Sequence, residues 1–242
     1  MKRQRGDSDA IVTDEARRTL RFIVSAAAQT AFPGRVLVGG HALGGAHLFC
    51  FEVGDVSAAD VDLLSKAVKK LIADDVPIEK VDVDFAEACA HFKANGLRHS
   101  LGLLETRVQS PSTVHRCGTT MRLALHPLLS RTSQAGAFSP TLTAHAAGVL
   151  LSFAAGPPVI SPTLLTSAMD HKRWGSALDV RGVGALNGLK GDGRELTDFI
   201  LHAEFRQEAI ISNLAAQVDT RSREAATDSQ RVGVICSASR VA

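Results

Sequence analysis

The chain has 242 residues, 45% of them hydrophobic, enough apolar surface for one large or two small buried cores and too much for a disordered polypeptide. Twenty-seven Lys and Arg against 25 Asp and Glu leave a net charge of +2, so no global field draws the chain to nucleic acid or to an anionic membrane; any such binding must be local. Cys50, Cys89, Cys117 and Cys236 form no C-x-x-C pair, which speaks against a zinc knuckle and a disulfide framework, and no run of about 18 apolar residues suggests a membrane span. A reducing, cytoplasmic setting is expected, with a mitochondrial one as the alternative because residues 16–32 are Ala-rich and contain Arg.

Residues 1–10 read as a disordered tail. Thr13 then caps a helix to about Ala31, with Ile23, Ala26, Ala27 and Thr30 on one face and Arg17, Arg18 and Arg21 toward another; Pro33-Gly34 ends it. "RVLVGG", the Gly-rich turn "HALGG" and "AHLFCFEV" make a hairpin that places Phe49 and Phe51 on the same side. Ser57 and Asp60 open a helix carrying Val61, Leu64, Val68, Leu71 and Ile72. "VPIEKVDVDF" alternates as a half-buried strand. Asp84 and Glu87 form a capping-box-like pair at the start of a helix that Gly96 stops. Farther on, "TVHRCGTTMRLAL" and "HAAGVLLSF" are the best strands, and Pro157, Pro158 and Pro162 mark a boundary. Helices are expected over about 163–178, 183–190 and 195–218, then a polar linker, "DTRSREAATDSQ", and an apolar strand within "RVGVICSASRVA".

These signals predict an α+β fold: an antiparallel sheet with packed helices, followed by a helical appendix. The expected organisation is a tail (1–10), an α+β domain (11–160), a helical connecting region (161–218), a linker (219–230) and an orphan strand (231–242).

Several motifs are candidates for chemistry. Gly39, Gly40, Gly44 and Gly45 could present N–H groups to an anion, but a strand and not a helix follows them, so a hairpin turn is the better reading. His41, His47 and Cys50 lack a fourth ligand for zinc, and no third group orients a Cys-His pair drawn from His115, Cys117 and His126. His171, Lys172, Arg173 and Trp174 join base, cation and the sole tryptophan, a combination that could stack on a nucleobase and hold a phosphate.

The order of signals from Phe32 to Gly96, "FPG", "VGGHALGGAHLFCFEV" and "VSAADVDLLSKAVKKLIADDVPIEKVDVDFAEACAHFKANG", resembles the second N-terminal domain of threonyl-tRNA synthetases, and "HRCGTTMRLALHP" is similar to that family's later Y-R-x-G stretch. Its editing site would fall on Arg18 and Phe22, in place of two histidines, on Ala124, in place of a cysteine, and on His126, which alone keeps its type. The resemblance therefore implies no editing hydrolase. A closer resemblance, covering about residues 30–238, is to uridine kinase-like proteins that carry this domain ahead of a P-loop kinase, through Trp174, Gly175, Val183, Gly184, Leu186, Asn187, Glu204, Ile210 and Ala215. After "VGVICSASRVA" the Gly-Lys-Ser/Thr of a Walker loop does not follow.

The chain thus reads as a uridine kinase-like protein without its kinase domain, a binding module for a nucleotide, RNA or a protein partner. The alternative is an inherited nucleoside kinase or residual editing hydrolase. No catalytic residue, metal or cofactor is assigned; ATP and Mg would enter only with a downstream kinase domain. The residues expected at the ligand are His126, Arg116, Trp174 and Arg173, in a groove between the hairpin and the strands near His115 and His126.

Overall fold

The computed structural model describes residues 13–106, 111–145, 148–153, 160–189 and 193–227. The expected N-terminal tail and C-terminal strand, with the Pro157-Pro158 boundary, lie outside them. Two compact units divide the chain at Gly188 and Leu189.

The first unit is α+β. It begins with α1 (Asp14–Ala31), whose cap forms as expected: the Thr13 hydroxyl accepts a hydrogen bond from the Ala16 amide. The hairpin follows as β1 (Leu37–Leu43) and β2 (Ala46–Phe51), and α2 (Ala58–Ala73) has the full capping box between Ser57 and Asp60. Next come β3 (Glu79–Val83), α3 (Phe85–Ala94) and α4 (Arg98–Thr106). The capping pair expected at Asp84 and Glu87 does not form. Asp84 makes no side-chain cap bond, and the Glu87 carboxylate reaches instead to Arg116 on the neighbouring sheet, 3.2 Å away.

The first of the two long strand segments of the sequence is a hairpin. It folds at Gly118, whose φ of +57° is a left-handed conformation that favours glycine, into β4 (Ser112–Cys117) and β5 (Thr120–Leu123). The second, 145–153, holds a single strand, β7 (Gly148–Ser152); β6 (Thr141–His145), which pairs with it, comes before, after a 3-10 turn over Thr132–Phe138. Two short helices close the unit, α5 (Pro162–Ala177) and α6 (Val183–Gly188).

Instead of one sheet there are two, both antiparallel, ordered β1-β2-β7-β6 and β3-β4-β5. In β2 every residue is buried, since its two faces are both covered. Phe49 and Phe51 join Leu20, Ile23 and Val24 of α1 and Leu64 of α2, while Leu48 and Cys50 pack with Ala168 of α5. Val114 of β4 packs with Phe92 of α3 and Leu104 of α4. The alternate residue Cys117 meets Phe22 of α1. Hence α1 is wedged between the two sheets, which explains why Phe22, Ile23 and Val24, on three different faces, are all buried. Thr30, expected on the apolar face, is exposed.

Gly175 and Gly184 of the Trp-Gly to Leu-Asn segment pack backbone on backbone. A Cβ on Gly184 would stand 2.8 Å from the Leu103 amide nitrogen and 2.9 Å from the Gly102 carbonyl carbon, so α4 and α6 cross in close approach; a Cβ on Gly175 would stand 2.8 Å from the Val180 carbonyl oxygen. Asn187 Nδ2 adds a hydrogen bond to Thr106 Oγ1.

In the second unit, α7 (Arg194–Thr227) is longer than expected and absorbs most of the predicted linker. Asp219 and Arg223 pair one turn apart at 2.8 Å, and alanines follow, so a segment polar in composition sustains the helix. Ile200, Phe205, Ile210 and Leu214 of this helix are exposed.

Candidate ligand-binding groove

One face of α1 remains open between the sheets. Arg18, Arg21, Phe22 and Ser25, spaced three and four apart, lie along it and face Gly39 and Gly40 of β1, His47 and Phe49 of β2, His115 of β4, and Leu125, His126 and Leu128 beyond β5. Together they line a groove of about 360 Å³.

Period-two alternation puts His115, and not its neighbour Arg116, on this side of β4; the His115 ring meets Phe22 edge-on with centroids 6.2 Å apart. In the same way His47 shares the parity of Phe49 and Phe51 in β2, so it turns toward α1. A Cβ on Gly39 would stand 3.2 Å from His47 Nε2, and the absence of a side chain there makes room for the imidazole. The register of β1 against β2 shifts between Gly39 and Ala42, a bulge that carries His41 toward α5. His41 lies 5.6 Å from His171, which lies 5.5 Å from Trp174, ring to ring.

The electrostatics of the groove are one-sided: among the described residues, two arginines and three histidines line it, and no carboxylate does. His47 is only 7% exposed, and burial, then Arg21, then His41 push its pKa down from 6.5 to about 4. Burial, followed by Lys80, also lowers His115. Both imidazoles are therefore biased toward the neutral form, which offers one donor and one acceptor. For Arg21, burial and the adjacent Arg18 lower the pKa while Asp14 opposes them; a guanidinium remains charged at neutral pH. Arg18 pairs with Asp14 at 3.9 Å, a long contact to an exposed carboxylate.

Nucleophiles are poorly placed here. The Ser25 hydroxyl donates to the Arg21 carbonyl at 3.0 Å, and the Cys117 thiol, raised in pKa by burial, lies with Phe22 and Ile78 in the core beside the groove. Among the described residues no cluster of three or more His, Cys, Asp or Glu could hold a metal ion.

Of the four residues expected at the ligand, His126 alone lines this groove. Arg116 is on the opposite face of β4 with Glu87, and Arg173 and Trp174 are on α5, where Arg173 pairs with Asp170 at 2.7 Å. Arg18, Phe22 and His126, three of the positions the synthetase resemblance picks out, are brought together in it. Sequence reasoning missed Arg21 and His47 as groove residues. The available signal was Gly39-Gly40 in a strand, since paired glycines in a sheet mark a close approach. In comparisons with known proteins, no family model and no curated protein matches the chain.

Proposed function

We propose that the first unit is a non-catalytic binding module that holds a phosphate-bearing nucleotide, free or at the end of an RNA strand, in the α1 groove. The observation that carries this reading is a pair of neighbouring arginines in a groove that has no lining carboxylate among the described residues. Arg18 and Arg21 would neutralise phosphate, the neutral His47 and His115 would supply hydrogen bonds, and Phe22 with Leu125 would offer apolar surface to sugar or base. A binding role is favoured over hydrolysis because the one lining hydroxyl is engaged with a backbone carbonyl and no thiol faces the ligand. The resemblance to uridine kinase-like proteins supplies the alternative, an inherited ATP-dependent kinase. The strand on which a Walker loop would be built lies outside the described residues. Among those residues, no helix is long and apolar enough to cross a membrane.

Fluorescence anisotropy with labelled AMP and with a short single-stranded oligoribonucleotide tests the reading. Binding should weaken about tenfold in Arg21→Ala and weaken linearly on a log-log scale as salt rises. Binding indifferent to Arg21 and Arg18 would refute the groove, and ATP turnover above background would favour the kinase reading.

A further inference from the structure

Four strand edges bound the two sheets among the described residues, and three of them are guarded. β1 is bulged between Gly39 and Ala42, β3 carries Glu79, Lys80 and Asp82, and β5 has only four residues with Arg122 among them. Bulges, charges and shortness each discourage a further strand from adding. β6 has none of the first two devices. Its five residues, Thr-Leu-Thr-Ala-His, include no Lys, Arg, Asp or Glu, its ladder with β7 is regular from Thr141 to His145, and Pro140 stands before the strand and not in it. Alternate residues of β6 turn their N–H and C=O groups away from β7, toward a side on which no described strand lies.

A cavity of about 520 Å³ lies between α2 and the start of this strand. Val68 and Ile72 of α2, with Pro140 and Leu142, give it an apolar lining. Leu142 is opposite Leu151 in the ladder and packs with it and with Val68 in the main core cluster, so its side chain is on the face of the sheet that α2 covers. In a strand added to β6, the residue opposite Leu142 would put its side chain on that same face. The volume falls within the range of about 300–1,000 Å³ that ligand sites occupy. Lys69 is the single charged residue among the described ones that line the cavity. It is exposed and has no ion-pair partner among the described residues, whereas its neighbour Lys70 is held by Asp74 at 2.6 Å.

From this juxtaposition we infer that β6 and α2 take an extended peptide segment of a partner protein, added to β6 as a fifth strand, with an apolar side chain in the cavity and an acidic side chain on Lys69. Strand addition supplies affinity through main-chain hydrogen bonds, and the cavity with its lysine supplies the choice of sequence. An apolar and an acidic residue two positions apart satisfy both, because that spacing keeps them on one face of a strand. A second copy of this chain paired through β6 would offer Lys69 no carboxylate, since Thr141–His145 contains none. This surface is independent of nucleotide binding at Arg18 and Arg21.

The test is fluorescence anisotropy of the full-length protein with N-terminally fluorescein-labelled Thr-Val-Thr-Leu-Thr-Glu-Thr-amide. Binding should be saturable, and about fivefold weaker for the same peptide with Lys in place of Glu. Lys69→Glu, an exposed helix position that leaves the core untouched, should reverse this order, so that the Lys peptide binds the variant more tightly than the Glu peptide does. A peptide N-methylated at Leu and at the Thr before it keeps every side chain but loses ladder donors, and should not bind. In hydrogen exchange, alternate β6 amides should gain protection when the Glu peptide is bound. The inference is overturned if no peptide binds saturably, if the N-methylated peptide binds as well as its parent, or if Lys69→Glu leaves the order of the two peptides unchanged. A dimer by light scattering that binds no peptide would assign the edge to a second copy and overturn it equally. AMP at saturating concentration should leave peptide affinity unchanged, so failure at this edge is distinguishable from failure at the α1 groove.

Discussion

Acidification should destabilise this protein through His47, beginning below about pH 6.5, above the range in which carboxylates protonate. In the folded state the imidazole is held neutral, with a pKa of about 4 against 6.5 for the exposed side chain. The native state therefore binds fewer protons than the unfolded one between these two values. Stability from this residue is intact above pH 6.5, is lost progressively as pH falls, and changes no further below about pH 4. The full loss amounts to about 3 kcal/mol, of which about 2 kcal/mol is gone by pH 5. His41, His91 and His115, also lowered chiefly by burial, add in the same direction. A variant separates their shares. His47→Gln keeps a polar, hydrogen-bonding side chain in the site but cannot titrate, so urea unfolding at pH 7 and at pH 5 should show a stability loss about 2 kcal/mol smaller in the variant than in the wild type. Equal losses in the two proteins would show that His47 is not held neutral by its surroundings, and the electrostatic account of the groove would fail with it.

Two further outcomes follow from packing and capping. Gly184→Ala places a methyl group against the backbone of Gly102 and Leu103, which cannot retreat as a flexible side chain would; unfolding in urea should show a loss of about 1–3 kcal/mol, and an unchanged midpoint would mean that α4 and α6 do not cross as closely as described. Ser57→Ala removes the hydroxyl that accepts from the Asp60 amide at 3.1 Å and frees Asp60, which also holds Arg35. A loss of about 1 kcal/mol is expected by thermal unfolding, with a stabilising effect refuting the capping role.

Local signals were the most legible part of the chain. Thr13 and the Ser57–Asp60 box cap the helices that the sequence assigns to them, and Gly96 stops α3 with a φ of +65°. The exception at Asp84 and Glu87 is informative, because Glu87 had a partner, Arg116, that is distant in sequence and became available only when β4 was placed beside α3. The segment "TVHRCGTTMRLAL", read as a single strand, is a hairpin because its turn is short and its apolar pattern runs through the turn, so hydrophobic periodicity alone does not reveal where the chain reverses.

The site residues divide along the same line. By itself the sequence determined the α+β class, the position of most helices and strands, the side-by-side placement of Phe49 and Phe51, and the candidacy of His126. Those follow from bonding and patterning between near neighbours. Only the tertiary structure decided that α1 lies between two sheets, that Arg21 and His47 face the groove while Arg116 turns away from it, and that Arg173 and Trp174 belong elsewhere. The physical reason is that burial and pairing are relations between segments far apart in the chain. A sequence shows which side chains carry charge; the packing of β4 and β5 against α1 decides which of those charges water can still reach.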